Sequence, residues 1–149
     1  MDFDVHHGNG TQEIFWADRS VLFSSTHQMP LYPGTGAVSE RGEHDNIVNA
    51  PLGKGDDGEK FREALTTRIL PRLDAFAPDL ILFCAGFDAH LHDPLGRLRL
   101  VEEDFRDVTL WTTVSALNGS PLWNFVPCRR RNVQDFASLA KSKLSASPG

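Results

Sequence analysis

Six apolar residues in a row, Leu80-Ile81-Leu82-Phe83-Cys84-Ala85, leave few options for the fold. An unalternating apolar run of this length suits a central parallel strand covered on both faces. Three other stretches read as strands: residues 1–7, 21–26 and 46–52. Residues 12–18, 58–76 and 101–117 read as helices. Ile14, Phe15 and Trp16 are expected to pack in the first of these, and Thr11 to cap it. In the second, Phe61, Ala64, Leu65, Ile69, Leu73 and Phe76 approximate a 3.6-residue stripe, with Arg68 out of character and Pro71 as a kink. Strands and helices alternating through short connections predict a parallel α/β sheet. Ligands of such sheets bind beyond the carboxyl ends of the strands. The polar, glycine-rich loops after residues 5, 26 and 86 all fall on that edge.

The segment Asp2-Phe3-Asp4-Val5-His6-His7-Gly8-Asn9-Gly10-Thr11 alternates. Asp2, Asp4 and His6 share one strand face, and Phe3 and Val5 share the other. Three metal-competent side chains followed by a Gly-Asn-Gly turn suit a strand end that delivers ligands to a cleft. Asp4 and His6 can converge on one ion, and Asp88, at the mouth of the apolar strand, could add a third ligand. Two carboxylates and an imidazole suit zinc, iron(II) or cobalt(II). Three protein ligands leave a coordination position open, as a catalytic metal requires. Asp2 reads as a supporting residue or as a ligand to a different cation.

The rest of the chain narrows the class. Its 149 residues suffice for one domain, and a formal net charge of -5 argues against a nucleic-acid backbone as partner. The Arg129-Arg130-Arg131 run lacks aromatic interleaving and reads as a solvated feature. No apolar stretch approaches a membrane span. Two cysteines without a pairing pattern, and acidic residues at the start, fit a cytoplasmic setting. Residues 37–46 read as a polar surface loop. Beyond Asn118 no period is visible until a short helix over 132–142 and a polar tail over 143–149. His90 and His92 read as surface residues.

Asp2 to Gln12 resembles a signature of the zinc-dependent histone deacetylase family. So do Ala85-Gly86-Phe87-Asp88-Ala89-His90 with Asp93-Pro94-Leu95-Gly96, and Ser25-Thr26-His27 leading to Leu31-Tyr32-Pro33-Gly34-Thr35-Gly36. The match is closer to the class II branch, with the bacterial histone-deacetylase-like amidohydrolases and acetylpolyamine amidohydrolases. The resemblance implies a parallel-sheet, three-layer arginase/deacetylase-like α/β fold, incomplete at the N-terminus and divergent at the C-terminus. It covers residues 1–106 as a partial domain and leaves 107–149 as a divergent segment, partly helical or disordered. It also implies that Asp4, His6 and Asp88 bind Zn2+. Asp2, Asp4, the His6 carbonyl, Ser25 and Thr26 would surround a monovalent cation, K+. The carbonyls of Phe15, Asp18 and Val21 would meet a second one. Tyr32 and Leu95 would line the acyl channel.

The reaction implied is hydrolysis of an acetyl-amide, of acetyl-lysine or acetylpolyamine, with no direct nucleic-acid or membrane partner and with self-association left open. The family also uses a His-His pair on a preceding loop and a Gly-Gly-Tyr loop. Neither motif occurs in this sequence, where His6-His7 is the metal segment and Tyr32 the sole tyrosine. The expectation is therefore a fragment with weak or no activity alone. The alternatives are a non-catalytic metal-binding or interaction remnant and, less favoured, a manganese ureohydrolase, whose extra aspartate is absent from Asp88-Ala89-His90.

Overall fold

Residues 1–5 run extended and are hydrogen-bonded on both sides. The computed structural model describes residues 1–116 and 123–126. On one side, Asp2 N donates to Ser24 O (2.8 Å) and Thr26 N to Asp2 O (3.0 Å). On the other, Phe3 N donates to Cys84 O (3.1 Å) and Cys84 N to Met1 O (2.8 Å). Residues 1–5 thereby join two parallel strand pairs. The first is β1 (Phe23–Gln28) with β2 (Ile47–Leu52), and the second is β3 (Ile81–Cys84) with β4 (Trp123–Val126). The spatial order is β2, β1, residues 1–5, β3, β4. The chain builds outward on one side, then crosses over to build on the other. The reversal falls between residues 1–5 and β3, which is where an open parallel sheet has a crevice for a ligand.

The two faces of this sheet differ because side chains alternate along each strand. Phe3, Val5, Ala50, Leu52 and Phe83 point to the main core with Phe61, Leu65, Ile69, Phe105 and Val108. This face is covered by α2 (Gly58–Ala64), a π-helical stretch Leu65–Ile69, α3 (Leu70–Phe76) and α4 (Glu102–Ala116). The opposite face carries Asp2, Ser25, Asn49 and Cys84 in register, under α1 (Asn9–Ile14) and the loops after β1. Cys84 is buried, as a small apolar residue should be.

The helix expected over 58–76 is interrupted where Pro71 demands it. Proline has no N–H to offer the carbonyl four residues back. The chain widens ahead of it, and Leu70 N–H bonds Leu65 O, five residues back. Phe61, Leu65, Ile69 and Leu73 stay buried, while Arg68 is turned out to solvent. Asp57 caps α2 by accepting from the Glu59 and Lys60 N–H groups.

Several local expectations need correction. The first helix starts at Asn9, not Gln12, so Thr11 lies inside it and caps nothing. Of its expected packing residues, Phe15 is buried, whereas Ile14 and Trp16 are exposed. Residues 37–46 are not wholly a surface loop, because Asn46 is buried. Trp123–Val126 adds a parallel strand where no periodicity was visible. The helix expected over 132–142, the tail over 143–149 and the Arg129–Arg131 run lie outside the described residues. No helix among the described residues is long and apolar enough to cross a membrane.

Candidate metal centre

Asp4 and His6 leave the sheet at the end of residues 1–5, and Asp88 follows β3, its neighbour across the reversal. Each brings one ligand atom to a common point, all within 4.8 Å of one another. His6 Nδ1 lies 3.0 Å from Asp4 Oδ1 and 3.0 Å from Asp88 Oδ2. Backbone groups fix the carboxylates. Val5 N donates to Asp88 Oδ1 (2.9 Å) and His6 N to Asp4 Oδ1 (2.8 Å). No other residues among those described form such a group.

The donor set fits a zinc ion. Zinc takes imidazole nitrogen and carboxylate oxygen at about 2.0–2.2 Å, which in a tetrahedron separates ligand atoms by roughly 3.3 Å. The observed 3.0 Å separations are close to that. Two carboxylates side by side in a half-buried cleft need a cation. The Asp88 carboxyl is accordingly pushed up from its ordinary value, by burial and then by Asp4, against the pull of the Val5 N–H.

The surrounding glycines are spatial requirements. A Cβ on Gly86 would lie 2.3 Å from Asp4 Oδ2 and 2.7 Å from Asp4 Cα. A Cβ on Gly96 would lie 2.1 Å from the Asp88 carbonyl oxygen. Asp93 Oδ1 holds this second loop by accepting from Leu95 N (2.8 Å) and Gly96 N (2.7 Å). These N–H groups keep the Asp93 carboxyl below the usual range.

Asp2 and Ser25 are cross-strand partners and share a face. Asp2 Oδ1 accepts from Asp4 N at 3.1 Å, and Ser25 Oγ lies 3.0 Å from His27 Nδ1. Thr26 is one residue on, so its side chain points to the other face, where Oγ1 is buried without a partner. Thr26 can therefore serve a cation beside Asp2 only through its backbone. The Phe15, Asp18 and Val21 carbonyls do converge, and the group between them is Nδ2 of Asn46. Tyr32 and Leu95 stand exposed on the loops after β1 and β3, on the edge that carries Asp4, His6 and Asp88.

A buried polar network lies beside the Asp4–His6 segment, and no motif in the sequence marks it as a unit. His7 Nδ1 lies 2.8 Å from Thr35 Oγ1, tying the Tyr32 loop to the metal segment. His7 Nε2 meets Gln12 Oε1 (3.0 Å), which also accepts from Asn49 Nδ2 (2.7 Å). Gln12 Nε2 donates to Glu40 Oε2 (2.6 Å), and Glu40 in turn accepts from Gly36 and Ala37 N–H. Burial lowers the His7 pKa, and it pushes His27 down to about 4, the adjacent His7 adding to the shift. The available signal was the string Ser24-Ser25-Thr26-His27-Gln28, five polar residues in a strand buried along its whole length.

Fold and site together define an α/β protein in which three metal-competent side chains converge at the strand-order reversal of a parallel sheet. The histone deacetylase domain model matches residues 1–120, and the chain belongs to that family. It is 43% identical over 111 residues to a probable deacetylase of Archaeoglobus fulgidus, covering 72% of this chain and 31% of that protein. To the chloroplastic histone deacetylase 10 of Oryza sativa it is 43% identical over 108 residues, covering 70% and 24%. The acetylpolyamine aminohydrolase of Burkholderia pseudomallei superposes with a TM-score of 0.67 at 36% identity, over 72% of this chain and 33% of that one. The HDA15 HD domain gives 0.74 at 34% identity, over 98% and 44%. The chain thus spans about a third or less of the length of these curated relatives.

Proposed function

We propose that this chain carries the zinc centre of a deacetylase, with Asp4, His6 and Asp88 as ligands, and that the centre serves hydrolysis of acetyl-lysine or acetylpolyamine amides. The observation that carries this reading is the convergence of the three ligand atoms at the sheet's reversal point. When bound, zinc supplies Lewis-acid polarisation of an amide carbonyl and of water. The chain's own residues provide charge and orientation. Asp4 and Asp88 supply the negative charge, and the His6 and Val5 N–H groups hold their carboxylates in place. Asp2, Asp4, the His6 carbonyl, Ser25 and the Thr26 backbone would surround K+. Tyr32 and Leu95 would flank the acyl chain.

Turnover by this chain alone is expected to be low. General acid–base help is worth roughly 10²–10⁴-fold and an oxyanion donor roughly 10²–10³-fold. The sequence holds neither a second His-His pair nor a Gly-Gly-Tyr loop. A second reading is a metal-free remnant. A His6 Nδ1–H shared between the Asp4 and Asp88 carboxylates meets the same two 3.0 Å distances. Zinc stoichiometry on the purified, folded chain separates the two. One zinc per chain, lost in Asp88→Ala, supports the metal centre, and a folded chain that takes up no zinc refutes it. Hydrolysis of an acetyl-lysine peptide, with and without chelator, then measures what activity the centre retains.

A further inference from the structure

Three backbone carbonyls between α1 and β1 are aimed at one buried point. Nδ2 of Asn46 occupies that point, 2.7 Å from Phe15 O, 3.1 Å from Asp18 O and 3.1 Å from Val21 O. Asn46 is 3% exposed. Three acceptors facing one another around a buried side chain require either a donor or a cation between them. The orientation of the amide follows from the same chemistry. Exchanging its nitrogen and oxygen would set Oδ1 against three carbonyl oxygens. In the observed orientation Oδ1 lies buried without a partner, beside Gly42, where a Cβ would come within 2.4 Å of it. The Asn46 backbone is pinned as well, its carbonyl accepting from Phe23 N at 2.9 Å. One side chain thus bolts the whole 15–21 turn to the start of β1 and β2.

We infer that the Asn46 amide stands in for a monovalent cation at the Phe15, Asp18 and Val21 carbonyls, so that this turn is held without an ion. An ion and Nδ2 cannot share the point on which the carbonyls converge. The donor set there fits a neutral amide, and the second cation expected from the family resemblance does not fit beside it. The turn lies on the far side of α1 from Asp4 and His6 in sequence and shares no residue with Asp4, His6 and Asp88.

The test uses rubidium as a heavy stand-in for potassium. Crystals of the chain grown in rubidium chloride should show no anomalous peak within bonding distance of the three carbonyl oxygens. A rubidium ion bound to them would overturn the inference. A solution measurement gives an independent decision. Thermal unfolding of the wild type and Asn46→Ala is compared in potassium chloride and in choline chloride at equal ionic strength. The rise in melting temperature on adding potassium should be at least as large in Asn46→Ala as in the wild type, because only the variant has a vacated cradle. A potassium shift present in the wild type and reduced in the variant would make Asn46 part of an ion site and refute the substitution. If Asn46→Ala does not fold, the rubidium experiment decides.

Discussion

Gly86→Ala tests whether the proposed zinc centre depends on backbone closeness between the two elements that carry its residues. The added methyl would sit 2.3 Å from Asp4 Oδ2, 2.6 Å from its Cγ and 2.7 Å from its Cα. The last of these clashes is with backbone, so a rotamer change cannot relieve it. Reaching an ordinary separation near 3.4 Å requires Asp4 and residue 86 to part by roughly 1 Å. Metal ligands tolerate about 0.2 Å. Overpacking of this kind costs about 1–3 kcal/mol of stability. Perturbed support around a zinc ligand typically costs about 10–100-fold in affinity, or about 1.4 kcal/mol per factor of ten. A competition titration against a chromophoric zinc chelator should therefore give at least tenfold weaker binding, alongside a lower melting temperature. Gly53→Ala is the control, since its added methyl has no neighbour closer than 3.5 Å. Wild-type zinc affinity in a normally stable Gly86→Ala would refute the reasoning. Equal weakening in the control would refute it too.

Other expectations follow from the same geometry. Zinc at about 100 times its dissociation constant should stabilise the wild type by about 2.7 kcal/mol, read as a melting shift, and Asp88→Asn should abolish that shift. Asp104 is 1% exposed, accepts from Val101 N at 2.9 Å at the start of α4 and pairs with Arg62. Asp104→Ala removes the acceptor of the Val101 N–H and a charged hydrogen bond, so urea denaturation should show a loss of about 2–4 kcal/mol. His27 is neutral in the fold because burial holds its pKa at about 4, whereas the unfolded residue titrates near 6.5. Its contribution is complete above the unfolded value and is lost as pH falls from about 6.5 towards 4, up to about 3 kcal/mol. His27→Gln should flatten stability over that window, and an unchanged slope would show that another group controls it.

The legible parts of this chain were those carried by long or chemically unusual strings. The apolar run at Leu80–Ala85 predicted a parallel strand covered on both faces, and β3 is parallel, with Phe83 and Cys84 buried but Ile81 and Leu82 only partly so. Asp4 and His6 are expected to converge with Asp88 beyond the apolar run, and the structure brings these three side chains together. Local propensity failed where tertiary packing decides. Gly8-Asn9-Gly10 reads as a turn because glycine disfavours helix, yet α1 begins at Asn9. Gly8 is there for space, since a Cβ on it would lie 2.4 Å from Asp2 Oδ2. The four-residue strand Trp123–Val126 is too short to show a period. Glu40 and Asn46 looked like loop polarity because most of their partners are backbone groups, which leave no trace in side-chain pattern.

The place of residues 1–5 at the middle of the sheet has a kinetic cost. Asp88 is 83 residues along the chain from Val5, whose N–H it accepts, and 82 from His6. Closing a loop of that length costs roughly 4 kcal/mol of chain entropy beyond a constant, whereas α2 and α3 fold on local interactions. Such high contact order slows folding. Asp4 and His6 are therefore expected to meet Asp88 late, after the helices have formed. Until then, the Asp4 and His6 half waits on an unpaired strand edge. A variant that slows this meeting will lengthen exposure of that edge, and aggregation during refolding will report it before any loss of equilibrium stability does.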